Sequence, residues 1–170
     1  SRTMMGQDVS DLRAAFGVVR DGLESLEERV SAVPPAPTAA DFPREVEDLL
    51  AQLRDANPLQ RSIALEKLGK LSDARLVAYV EPLLRDSYEM NRYYAATSLG
   101  TWKAVASVPA LIESLQDEYS LVRKAANEAL LAITGQDQGF DAKAPEGERR
   151  KAYERWKAWQ ASGAGTPTAG

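Results

Sequence analysis

The chain contains no cysteine and no histidine. The first absence excludes disulfides and thiol nucleophiles. The two together exclude Cys/His zinc sites and any mechanism with a histidine base. The missing cysteines do not identify a compartment. Aromatic residues are sparse, 7% of the chain against 44% hydrophobic residues, so a core can form but must be largely aliphatic. No long run of one charge sign occurs and the net charge is −4, so the basic footprint of a nucleic-acid binder is missing. No apolar run approaches the roughly 18 to 20 residues needed to span a bilayer. No secretory signal is visible, and a cytoplasmic location is the expectation. The chain opens on Ser1-Arg2-Thr3 without an initiator methionine, which leaves an upstream anchor or export signal open.

What is there is a repeat. Offset by 31 residues, the chain carries the same residue three times at Val46/Val77/Val108, Leu53/Leu84/Leu115, Asp55/Asp86/Asp117, Arg61/Arg92/Arg123, Ala64/Ala95/Ala126 and Leu68/Leu99/Leu130. Leu49/Val80/Leu111, Leu59/Met90/Leu121 and Leu71/Trp102/Ile133 match in kind. Repeats of this length point to stacked supersecondary units sharing one core. Each unit reads as two helices. Val46, Leu49, Leu50 and Leu53 recur at helical spacing and mark the first. Asp55-Ala56-Asn57-Pro58 then turns the chain, with Asn57 as N-cap and Pro58 at the first helical position, where a missing N–H costs nothing. The second helix is expected to bury Ile63, Ala64, Leu68 and Leu71. Unit two spans about Ala74 to Lys103 and unit three about Ala106 to Thr134, with Gly135 at a C-cap position. Small residues at Ala64, Ala95 and Ala126 let the helices approach closely. The Asp/Arg columns read as structural: each repeat places a carboxylate at its inter-helix turn and a guanidinium one turn into the next helix, which on stacking gives a ladder of charge-assisted hydrogen bonds.

The pattern V-x2-L-…-L-x-D-x5-R-x2-A-x3-L, over Val46 to Thr134, resembles HEAT repeats, in particular the short bacterial HEAT-like type also found in phycobilisome lyases. The resemblance implies an all-α fold: an α-solenoid of three HEAT-like helix pairs with a C-terminal capping helix. Deoxyhypusine hydroxylase, an enzyme of this family, uses His-Glu metal motifs, and with no histidine that activity does not carry over. HEAT-like alkylpurine glycosylases bind DNA through basic surfaces, and this chain has no basic excess.

After Gly135, residues 146–161 read as a helix with Pro145 at its start and acids in its first turn. The stretch Thr134-Gly135-Gln136, Gly139-Phe140-Asp141, Trp156 and Trp159 resembles the closing segment of many bacterial HEAT-like proteins. A solenoid end exposes an apolar face that needs a cap, and Phe140, Trp156 and Trp159 are expected to cover unit three; an aromatic clamp for a peptide or ligand is the alternative. Asp137 and Asp141 lack the full calcium-loop series and its terminal Glu. The tail, 162–170, reads as disordered.

At the other end Val9, Leu12, Phe16, Val19, Leu23, Leu26, Val30 and Val33 are spaced alternately by three and four. This heptad pattern over residues 1–33 predicts a coiled-coil helix that makes the chain a homo-oligomer. Gly17 and Gly22 weaken that helix by about 1 kcal/mol each relative to Ala. A helix docked on the solenoid or on a partner's helix is the alternative. Residues 34–41 form a Pro/Ala spacer, and Asp41 is expected to N-cap the first solenoid helix, with Pro43 in its first turn, so that residues 42–161 form the repeat domain.

No paired carboxylates stand apart from the structural ones, so the expected function is non-catalytic, without cofactor or metal: a protein–protein adaptor or scaffold, made multivalent by its coiled coil. In HEAT-like solenoids the second helices line the concave face. Tyr93, Thr97, Lys124, Asn127 and Glu128 are the candidate partner-binding residues there, with Ser62 and Glu66 also exposed, and Tyr93 the best anchor. An architectural self-assembling component, a tetrapyrrole-lyase-like chaperone and a nucleic-acid binder stay as alternatives.

Overall fold

The computed structural model describes residues 14, 16–20 and 36–164, which are helices and connecting turns with no strand among them. The chain divides into two units, Ser1–Pro37 and Thr38–Gly170. In the first, residues 16–20 are helical, and Phe16 and Val19 of the heptad series are exposed. The other heptad positions, Val9, Leu12, Leu23, Leu26, Val30 and Val33, lie outside the described residues.

The second unit holds the three repeats. The first is α1 (Arg44–Gln52) and α2 (Pro58–Gly69). The second opens with a 3-10 turn at Ala74–Leu76, a single helical turn α3 (Val77–Val80) and a 3-10 segment at Glu81–Arg85, followed by α4 (Glu89–Thr101). The third is α5 (Val108–Ser114) and α6 (Ser120–Thr134), and α7 (Glu146–Ala161) follows. The periodicity predicts a regular first helix in every repeat, but in the second that helix is broken. Pro82 stands in the segment and has no N–H to donate, so the backbone tightens into 3-10 geometry around it.

Local signals set several helix ends. The Asn57 side chain accepts the Leu59 N–H at 3.0 Å, with Pro58 opening α2. Gly135 ends α6 at φ 68°, in the left-handed region that glycine enters without a Cβ penalty. Asp41 does not N-cap α1, which starts at Arg44 behind Pro43. Its carboxylate instead accepts the Thr38 N–H and hydroxyl, at 2.6 and 2.9 Å, closing a 3-10 turn over Ala39–Asp41. Pro43 itself holds the N-cap position rather than lying in the first turn, and the Asp41 carboxylate is engaged by Thr38.

One continuous core runs through the repeats. Leu53, Leu84 and Leu115 are buried, as are Leu68, Leu99 and Leu130, and the alanine column 64/95/126 has no exposed surface. Each fully buried leucine contributes about 1.5–3 kcal/mol. The second helices form a layer in which α4 packs on both α2 and α6. Glycine sets their approach: a Cβ on Gly100 would lie 2.9 Å from the backbone Cα of Ala129. Ile63 and Leu71 depart from expectation, being 41% and 37% exposed. The third-repeat counterpart of Ile63, Ala125, is buried against the helix before it. Helix α2 is the first of its layer among the described residues.

The Asp/Arg columns form the expected ladder. Arg61 donates Nε and Nη2 to the Asp86 carboxylate at 2.8 and 3.0 Å, and Arg92 does the same to Asp117 at 2.7 and 3.1 Å. Each also donates Nη1 to the backbone oxygen of its own repeat's aspartate, Asp55 or Asp86, so one guanidinium ties a turn to the next repeat. Burial works against the Asp86 carboxyl. Arg61, the Tyr88 N–H and the Asn91 amide outweigh it and hold its pKa below the usual carboxylate value. Asn91, fully buried, spends its Nδ2 on Pro58 O and Asp86 and accepts the Ser62 hydroxyl at 2.6 Å.

Helix α7 closes the far end. Trp156 and Phe140 are buried in the core, and Trp159 packs partly against it, 5.4 Å from Trp156 edge to face. Tyr153 donates its hydroxyl to Glu113 on α5, and Lys157 pairs with the same carboxylate at 3.1 Å. These contacts are the cap that the aromatic spacing predicts.

Candidate functional site

The second helices α2, α4 and α6 expose one edge of their layer, and the sequence places the candidate residues there. A groove of about 630 Å³ runs between α6 and the loop that leads to α7. Helical spacing puts Leu121, Lys124, Asn127, Glu128 and Leu131 along one wall. The loop supplies the other wall, through Phe140, Asp141 and Lys143. Two Asx turns shape that loop: Asp137 accepts the Gly139 N–H at 2.7 Å and Asp141 the Lys143 N–H at 2.9 Å. Those carboxylates are engaged with their own backbone. Among the described residues no group of three or more acidic, His or Cys side chains is placed to hold a metal ion.

The groove pairs apolar surface with mixed charge. Leu121 is 46% exposed. Lys124 and Glu128 flank the groove as a solvent-exposed i,i+4 pair at 3.7 Å, a contact worth little by itself. Asn127 donates weakly to Phe140 O at 3.4 Å, and its side-chain oxygen is buried without a partner.

Three of the five sequence-predicted residues, Lys124, Asn127 and Glu128, therefore share one groove. Thr97 meets Glu128 in a shallower neighbouring depression of about 240 Å³ between α4 and α6. Tyr93 lines neither. It is half-buried, with its ring 5.5 Å from that of Tyr94. Glu66 is exposed, whereas Ser62 is half-buried and committed to Asn91. Sequence reasoning missed the second wall. Phe140 was legible as a capping residue, with an aromatic clamp as the alternative, and nothing in the repeat register points to Asp141 or Lys143. The apolar column Leu59/Met90/Leu121, in which Leu59 and Leu121 are exposed and Met90 is half-buried, was the available signal for Leu121.

Stacked helix pairs around one core, with an exposed edge of second helices, define an α-solenoid. Residues 46–135, more than half of the chain, match the HEAT repeats family, and the protein belongs to it. HEAT repeats commonly serve as protein-interaction scaffolds. No curated protein matches the chain. No helix among the described residues is long and apolar enough to cross a membrane.

Proposed function

We propose that the protein is a non-catalytic scaffold that grips a polypeptide in the groove between α6 and the loop before α7. The observation that carries this reading is the composition of the groove. Leu121 and the half-buried Leu131 offer apolar contact above buried Phe140, while Lys124, Glu128 and Lys143 stand beside them as polar handles, the mixture that recognition sites use. Thr97 and Tyr93 extend the contact along α4, Tyr93 as an aromatic anchor. The heptads from Val9 to Val33 support oligomerisation. Two or more solenoids held together bind a repeated target with avidity.

The partner-binding part is tested by capture of co-purifying proteins on the full chain and on Leu121→Asp and Tyr93→Ala variants of unchanged helical content. Loss of the same proteins from both variants is expected. Retention by Leu121→Asp would remove the groove from the account. Oligomerisation is tested separately by light scattering on the full chain and on a Leu12→Asp/Leu26→Asp variant. A drop to monomer mass is expected, and a wild-type chain that is already monomeric would contradict it.

A further inference from the structure

The Asp/Arg ladder ends differently from how it begins. Arg123 holds the same register as Arg61 and Arg92, but its Nε and Nη2 reach the backbone oxygen of Ala142, at 3.1 and 2.7 Å, rather than a carboxylate. Its Nη1 donates to the carbonyls of Asp117 and Glu118. Those oxygens satisfy hydrogen bonds and supply no formal charge. Arg123 is nonetheless only 8% exposed. Burial first, and then the neighbouring guanidinium of Arg149, push its pKa down, with Asp117 acting in the opposite direction. Arg149 spends its Nε on Ala144 O at 3.0 Å. Neither arginine takes part in an ion pair among the described residues.

Both arginines line a cavity of about 320 Å³ between α7 and the turn that joins α5 to α6, a volume at the small end of ligand sites. Three acids also line it. Asp117 is closed on Arg92 and Glu146 on Arg150 at 3.0 Å, which leaves exposed Glu118 facing two uncompensated guanidinium groups.

We infer that this cavity is a binding site for a carboxylate. The ligand takes the place of the carboxylate that the third rung lacks, held by the free Nη groups of Arg149 and the remaining Nη2 N–H of Arg123. Guanidinium is the side chain best suited to that task, because its fork matches a carboxylate in two parallel hydrogen bonds. The site is separate from the α6 groove and does not rest on it.

The arginine Nε–H resonances of the full chain at pH 7 read the site directly. Sodium acetate and the blocked peptide acetyl-Gly-Glu-Gly-amide are the two probes, with sodium chloride at matched ionic strength and the Gln peptide as controls. Saturable movement of the Arg123 and Arg149 signals with the carboxylates alone is expected, with Arg92 unmoved in its closed pair. Saturation by the Glu peptide at lower concentration than acetate identifies an acidic side chain of a partner as the source. Equal saturation identifies a free small carboxylate. Arg149→Gln is expected to weaken binding by about tenfold or more. Arg149→Lys, which keeps the charge and loses the fork, carries the same direction if the Gln variant loses helicity. Signals that stay still with both probes, or a folded Arg149→Gln chain that titrates like the wild type, would overturn the inference.

Discussion

Asp86→Ala tests the ladder where it is most enclosed. The Asp86 side chain is 8% exposed and that of Arg61 14%. The carboxylate accepts from Arg61 twice, from the Tyr88 N–H at 2.9 Å and from the Asn91 amide at 3.1 Å. Truncation leaves a largely buried guanidinium without its counter-charge and one donor of a fully buried amide without its acceptor. Breaking such a pair from one side costs about 3–5 kcal/mol. The remaining exposure of Arg61 places this case near 3 kcal/mol. For a folded unit of this size that is a fall in Tm on the order of 10 °C. Asp55 provides the internal control. It holds the same column in the first repeat, is exposed, and its carboxylate accepts only the Asn57 N–H at 2.8 Å, so Asp55→Ala is expected to cost about 1 kcal/mol or less. Thermal unfolding followed by circular dichroism at pH 7 measures both. Equal losses in the two variants would refute the claim that burial and the arginine fork, rather than column membership, set the energy.

Three further outcomes follow from particular residues. Gly100→Val drives a side chain into the backbone of Ala129 and is expected to destabilise by about 1–3 kcal/mol or more in chemical denaturation. Gly147→Ala, in the first turn of α7 with nothing within 4 Å of the new Cβ, is expected to raise stability by up to about 1 kcal/mol in the same assay. The depressed Asp86 pKa contributes stability that is full above the unfolded carboxylate value of about 3.9 and is lost as pH falls through the lower folded value. Acid titration should therefore show a loss of stability below about pH 4 that is smaller in Asp86→Asn.

The repeat made much of the fold legible, because its columns report contacts that every copy shares. Leu53, Leu84 and Leu115 are alike in sequence and alike in burial, and the pairing of Arg with Asp follows from the same register. What the register cannot report is how a copy differs by its position in the stack. Ile63, on the first helix of the layer among the described residues, is exposed where its third-repeat counterpart Ala125 is buried, and Arg123 ends on a carbonyl where Arg61 and Arg92 end on carboxylates. Pro82 broke a helix that the hydrophobic spacing alone would have continued. The groove was half legible. Lys124, Asn127 and Glu128 follow from helical spacing on α6, whereas Phe140, Asp141 and Lys143 arrive through a loop folded by Asx turns, and such a path is set by tertiary contact rather than by periodicity.

Site-directed photo-crosslinking puts the central claim to its most direct test. A photoreactive residue is placed in the full chain at Thr97 or Lys124, both exposed on the second helices, and at Glu47 or Asp48, both exposed on α1. Polypeptide adducts should form from positions 97 and 124 and be absent from 47 and 48. Adducts from α1 that equal or exceed those from α6 would contradict the assignment of binding to this face.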